Sequence, residues 1–318
     1  MVADGQRRVR GTSAVLGLTL LAAGLTPGAA RAAGTVAEGS TRTDRVCSVD
    51  LGSVTPGGDH LAQAVRATTP ITVTQMRKTT FIYSGGGNPR LSSYFTYEPT
   101  AAAGGWADGL VVQRDGMYQS RYDIDPDGAA ENQVLKRVGA GWDRFKAMEQ
   151  VQYQAPSHVE PLRRSVYALR DDGLLFRWNI DMYGVWRAAG SAAGFSSVKS
   201  LALISKNYSF DTFLANTRGG ALYTIRIPTT AALKPVVTMV RSKTWQGFET
   251  LVAASCSLGE LVVGIDKDTS SAYLYAIGHA NGAKTAIEGR GKIPGTFANP
   301  VYFRWGPMPD LDRFNGDS

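Results

Sequence analysis

Three tryptophans carry the pattern most open to chemistry. Trp142 is followed by Asp143, Trp186 comes shortly after Asn179 and Asp181, and Trp245 is a third ring of the same kind. An aromatic face beside short polar side chains suits a saccharide, whose apolar face stacks on a ring while its hydroxyls need paired donors and acceptors. Trp142, Asp143, Asn179, Asp181, Trp186 and Trp245 are therefore the candidate ligand contacts. The competing role for each tryptophan is to fill a gap between packed sheets. Tyr167, Tyr223, Tyr273 and Tyr275 fall inside strand-like runs and are assigned to the core.

Other chemistries find less support. A glycoside hydrolase needs two carboxylates flanking the scissile bond. Glu98, Glu149 and Glu249 lie on or near first strands but share no motif. A serine triad lacks its G-x-S-x-G, and His60, His158 and His279 all fall in expected loops. Two cysteines and these three dispersed histidines match no zinc spacing. Asp123, Asp125, Asp127 and Gly128 echo a calcium loop, but Val134 stands where its glutamate belongs, so this reads as a solvated turn. No catalytic residue, metal or cofactor is assigned.

The elements that must position these side chains come from a repeat. The glycine-led segments Gly141-Trp142-Asp143-Arg144-Phe145, Gly194-Phe195, Gly247-Phe248 and Gly295-Thr296-Phe297 put Phe at 145, 195, 248 and 297, in steps of 50, 53 and 49. Such a period marks units that cannot bury an apolar face alone and must stack on neighbours. Within the clearest unit, strands are expected over 145–153, 165–170, 174–180 and 184–188. Asp171-Asp172-Gly173 turns its middle pair, because glycine accepts a positive φ without a Cβ clash. Further sets run 198–204, 212–216, 222–227 and 236–240, then 250–255, 261–265, 272–277 and 284–288. A looser set covers 92–97, 110–113, 117–124 and 133–138. Left over are 71–74 and 80–83 in front and 299–305 behind, so a fifth sheet built from both termini would close a ring and hide its edges. A β-sandwich is the alternative architecture.

Residues 1–32 read as a secretory signal peptide. Arg7, Arg8 and Arg10 precede an apolar stretch too short for a bilayer, and Ala30-Arg31-Ala32 offers a cleavage site. The export route, general secretory or twin-arginine, stays open. Residues 33–69 are expected to form a flexible arm, 70–307 the repeat domain and 308–318 a tail. The whole chain has a net charge of +7, and loss of the leader would remove four basic residues and one acidic, leaving +4. That charge is scattered, which argues against nucleic acid, and no later segment could insert in a membrane. In an exported protein the even pair Cys47 and Cys256 points to a disulfide pinning the leading segment to the ring.

Gly139-Ala140-Gly141-Trp142-Asp143-Arg144-Phe145-Lys146, followed by Val166-Tyr167-Ala168-Leu169-Arg170-Asp171-Asp172-Gly173-Leu174-Leu175-Phe176-Arg177-Trp178, resembles the tachylectin-like five-bladed β-propellers. Their blades read roughly G-x-G-W-x-x-F and then Y-A-V-x-x-x-G-x-L-Y. The resemblance implies an all-β propeller of four-stranded antiparallel blades, and a secreted lectin that binds a glycan carrying N-acetylated amino sugars. It departs where near-identical blades are the family pattern, since Trp142 is matched by Gly194, Gln246 or Pro294 according to gap placement. A hydrolase on the same ring and a protein-binding scaffold are the alternative functions.

Overall fold

The computed structural model describes residues 46–83, 87, 89–100, 104–155, 162–230, 232–257 and 259–307. Expectations for the leader, for 33–45, for His158 and for the tail 308–318 lie outside these. In chain order the strands are β1 (Ser48–Val54), β2 (His60–Arg66), β3 (Thr72–Thr79), β4 (Leu91–Pro99), β5 (Gly105–Gln113), β6 (Gly116–Ile124), β7 (Ala130–Gly139), β8 (Phe145–Tyr153), β9 (Arg163–Arg170), β10 (Leu175–Ile180), β11 (Trp186–Ala192), β12 (Val198–Lys206), β13 (Phe210–Thr217), β14 (Leu222–Pro228), β15 (Val236–Arg241), β16 (Thr250–Cys256), β17 (Gly259–Asp266), β18 (Ser271–Ile277), β19 (Ile287–Lys292) and β20 (Val301–Gly306). The protein is all-β, and its described strands form three four-stranded antiparallel sheets and one eight-stranded mixed sheet.

Burial explains the order within each sheet. Leu201-Ala202-Leu203-Ile204 is an unbroken apolar run, and β12, which carries it, is buried on both faces. Outward through β13 and β14 to β15 the side chains become more exposed, and four of the six residues of β15 face solvent. The same decline runs from β8 to β11 and from β16 to β19.

Three sheets are separate: β8 to β11, β12 to β15 and β16 to β19. The remaining strands run in the order β3-β2-β1-β20-β4-β5-β6-β7. Here β20 pairs antiparallel with β1, from Leu51 opposite Arg304 to Val54 opposite Val301. Its other edge meets β4 in parallel through Arg304 and Tyr94, Trp305 and Phe95, and Gly306 and Thr96. First strands pack serially, β4 on β8, β8 on β12, β12 on β16, and β16 on β1 and β20.

Turn chemistry ties one sheet to the next. Gly173 has φ +86°, and a Cβ there would stand 2.3 Å from the Ser196 amide nitrogen. The Asp171-Asp172-Gly173 hairpin is therefore both left-handed and closely approached, as the sequence required. Its Gly173 carbonyl accepts the Phe195 N–H at 3.0 Å. The same bond recurs as Trp142 to Asp115, Trp245 to Gly220 and Phe297 to Ser270, at 2.8–3.0 Å.

The disulfide joins Cys47, just ahead of β1, to Cys256 at the end of β16, with Cα atoms 5.5 Å apart. It clips the sheet that holds the first strands to its neighbour. Several boundaries differ from expectation. The arm over 33–69 is, from Ser48 to Arg66, the hairpin β1–β2, with Val49, Leu51, Val54 and Val65 buried. Thr80–Tyr83 is no strand: Thr80 makes an isolated bridge to Ala129, and Phe81 has φ +63° and is 66% exposed. The strand expected at 184–188 begins at Trp186, and that at 284–288 begins at Ile287 after a 3-10 turn over Gly282–Lys284.

Candidate functional site

The first strands all start at one end of the molecule, and their starts enclose a cavity of about 420 Å³. Its walls come from β4, β8, β12, β16 and β20, so every sheet contributes. Leu201, Leu251, Val252 and Val301 are among its apolar lining residues. Ser92, Ser93 and Ser200 also line it, with hydroxyls bonded to the Leu110 carbonyl, the Gln150 N–H and Asn216 Oδ1. A half-open cavity with a mixed polar and apolar lining suits a small polar ligand.

Basic side chains at the mouth bridge sheet to sheet. Arg90, ahead of β4, donates to the carbonyls of Trp142 and Phe145 at the head of β8, the latter at 2.5 Å. Lys146 in β8 donates to the Ser196 carbonyl ahead of β12 at 3.2 Å. Lys199 in β12 donates to the Gln246 carbonyl at 2.5 Å and ion-pairs with Glu249. Lys267, after β17, donates to the Pro300 carbonyl at 2.6 Å, and its own N–H bonds Glu249 Oε2 at 2.8 Å. Burial lowers the pKa of Arg90, Lys146 and Lys267.

Deeper in the cavity stands Glu149, the fifth residue of β8. Only 5% of it is exposed, and Arg304 approaches at 3.7 Å. Burial pushes its carboxyl up to about 7, against the opposing pull of Arg304 and of the Leu203 N–H. Its Oε2 has no hydrogen-bond partner. Glu249 sits at the rim in two bonds, whereas Glu98 lies toward the opposite end of β4. The structure thus brings two of the three sequence-selected carboxylates to one cavity.

The six candidate ligand contacts do not assemble there. Trp142 is 5% and Trp245 4% exposed, so neither offers a face for stacking, which corrects their assignment. Both are wedges between sheets. Trp142 packs on Phe145, Trp178 and Trp186 with centroids 4.6, 5.2 and 6.3 Å away, and Trp245 packs on Tyr275 at 4.7 Å. Asn179 accepts the Ser165 hydroxyl at 3.0 Å. Asp181 closes the β10–β11 turn by accepting the N–H groups of Tyr183 and Val185, each at 3.0 Å, and it pairs with Arg187. That turn lies at the end of β10 away from the Asp171 hairpin, hence away from the mouth. Trp186 is half-buried on the outer strand β11. Asp143 is exposed at the mouth, where its charge acts on Arg90.

The calcium-like acids are used locally: Asp125 accepts the Ala129 N–H at 2.7 Å and Asp123 the Asn132 amide at 2.9 Å. His60 is not in a loop but opens β2, fully buried among Tyr83, Phe95, Tyr122, Phe303 and Trp305. Burial drops its pKa to about 3, and Nδ1 bonds the Tyr122 hydroxyl at 2.6 Å. What sequence reasoning missed is the basic mouth, whose members are dozens of residues apart. A repeat aligned on strand starts could have found it, since Lys146 follows Phe145 at the head of β8 as Lys199 follows Val198 at the head of β12.

No protein family and no curated protein matches the chain. Among solved structures it is similar to an exo-inulinase from Aspergillus awamori, with 10% identity, TM-score 0.42, 76% of this chain and 64% of that one covered. It therefore spans under two thirds of that enzyme. It is also similar to a lectin of Aleuria aurantia, a six-bladed β-propeller with a fucose recognition mode, with 12% identity, TM-score 0.43 and 76% and 78% covered. A second structure of the Aleuria aurantia lectin, described as fucose-specific, gives 13%, 0.44, 76% and 78%. The fold described above rests on strand pairing and not on these likenesses.

Proposed function

We propose that the chain is a five-bladed propeller of the tachylectin-like kind, closed by both termini, and that it binds a glycan at the mouth of its axial cavity without catalysis. Support for the ring comes from the serial packing of first strands and from β20, near the other end of the chain, which lies between β1 and β4 in one sheet. Export by a cleaved leader agrees with the Cys47–Cys256 disulfide, and among the described residues no helix is long and apolar enough to cross a membrane.

The observation that carries the functional reading is the cavity itself, the place where side chains of all five strand sets converge. Asp143 at the rim is kept as a contact, Trp186 on the outer strand is the competing place for a glycan, and N-acetylated amino sugars are the ligands first tested. A glycan array competed with free N-acetylglucosamine should give specific, competable binding. Binding to no glycan, together with capture of a protein ligand, would replace the lectin with a scaffold.

One observation favours a hydrolase as the second reading. Glu149 is buried, has no hydrogen bond at Oε2, where Arg304 stands 3.7 Å away, and is held near 7, as a general acid would be. Reducing-sugar release by the native protein, abolished in Glu149→Gln, would establish it. No release from any glycan that binds leaves the lectin.

A further inference from the structure

Six basic side chains face the axial cavity, Arg90, Lys146, Lys199, Arg218, Lys267 and Arg304, against the two carboxylates Glu149 and Glu249. Each carboxylate already has its cation, Arg304 for Glu149 and Lys199 for Glu249. The other four bases are tied to neutral carbonyl oxygens, and among the described residues none of the four forms an ion pair. Two of them converge. Lys146 Nζ and an Arg218 guanidinium nitrogen both donate to the one carbonyl oxygen of Ser196.

A neutral oxygen shared by two cations holds them together without cancelling their repulsion. The charge balance of Lys146 reflects this: burial and then Arg218 lower its pKa, while Asp171 and Asp172, themselves paired with Arg144 and Arg170, pull weakly the other way. What would complete the arrangement is a group with negative charge and several acceptor oxygens, since charge-assisted bonds strengthen in a partly desolvated site. The cavity, about 420 Å³, has room for such a group on a sugar ring, and its apolar wall suits the face of the ring.

We propose that the cavity mouth is an oxyanion site, in which Lys146 and Arg218, with Lys267 and Arg90 beside them, hold the acidic group of a saccharide, a carboxylate or a sulfate ester. The occupant rests on the glycan-binding reading above; the charge of that occupant is new. Acidic saccharides should therefore bind far better than their neutral counterparts, and binding should weaken with salt.

The test is titration calorimetry on the full chain with three probes: a hyaluronan tetrasaccharide, the same tetrasaccharide with its carboxyls reduced to alcohols, and sodium sulfate. The acidic sugar should bind at least about tenfold more tightly than the reduced one. Lys146→Gln or Arg218→Gln should each weaken it roughly tenfold, and Lys146→Arg should keep it within about threefold. If the glutamine variants do not fold, the native protein still decides the matter, because raising salt should weaken the acidic sugar and spare the reduced one. Equal binding of both sugars, insensitive to salt and to Lys146→Gln, overturns the oxyanion site and leaves the glycan reading intact. Binding of sulfate alone, lost in Lys146→Gln, overturns the glycan reading and leaves the oxyanion site. Binding of none of the three overturns both.

Discussion

Trp142, Phe195, Trp245 and Phe297 occupy one repeated position. Each backbone N–H caps the hairpin of the preceding sheet, and each side chain is 2–6% exposed. Aligning the sequence on phenylalanine alone mixed this wedge with the position three residues later, where Phe145, Val198 and Phe248 stand, so Trp142 was set against residues that are not its equivalents. Trp142→Phe should then cost little, because phenylalanine already serves at two of the four sites, while Trp142→Ala should cost about 3–5 kcal/mol. Urea titration measures both, and glycan binding by Trp142→Phe should be unchanged. The buried acid makes a pH prediction. Glu149 has a folded pKa of about 7, above its unfolded 4.5, so stability is fully present below 4.5 and declines as pH rises through 7. Glu149→Gln should remove that decline and be more stable than the native protein above pH 7 by roughly 3 kcal/mol at most. Denaturant curves at pH 4 and pH 8 check it, and equal differences at the two values would show that Glu149 is not the group concerned.

Between elements, the sheet carrying β9 and the sheet carrying β13 are locked by an ion pair. Asp211, with no exposed surface, accepts two bonds from Arg163 at 2.7 and 2.6 Å and one from the Tyr167 hydroxyl at 2.8 Å. Asp211→Ala would leave Arg163 without its partner and should cost about 3–5 kcal/mol, read as a shift in the denaturant midpoint at constant slope. The strands of this region were legible in the sequence, because Val166 to Leu169 and Leu201 to Ile204 are apolar runs, the first followed by the Asp172-Gly173 turn, and Gly219-Gly220 turns the next pair of strands. The hairpin β1–β2 was not. The Gly, Thr, Ser and Ala content of 33–69 and its lack of steady alternation read as a linker, yet Gly52 within it serves packing: a Cβ on it would stand 2.2 Å from the Phe303 ring of β20. That requirement exists only once the far end of the chain has paired with β1, and no local pattern contains it. The same holds for 80–83, which have strand composition but are broken by the left-handed backbone of Phe81.

For the whole molecule, the sheet that joins β1, β20 and β4 and the candidate site depend on contacts that span the sequence. The disulfide closes a separation of 209 residues, and the double variant Cys47→Ser with Cys256→Ser should lose about 2–5 kcal/mol while keeping its strand content, measured by circular dichroism during denaturation. The basic mouth is the functional counterpart. Charge that is scattered along the sequence converges on one cavity, because Lys146 and Lys199 lead their strands and Arg218 and Lys267 follow theirs, all at the same end of the sheets. The carboxylates were legible as candidates, while the cations were legible only as net charge. The most direct measurement of the central claim is a structure of the protein soaked with the hyaluronan tetrasaccharide. The account predicts saccharide density in the axial cavity with an acidic group against Lys146 and Arg218. Density instead at the outer strands beside Trp186, with the cavity unchanged, would contradict it.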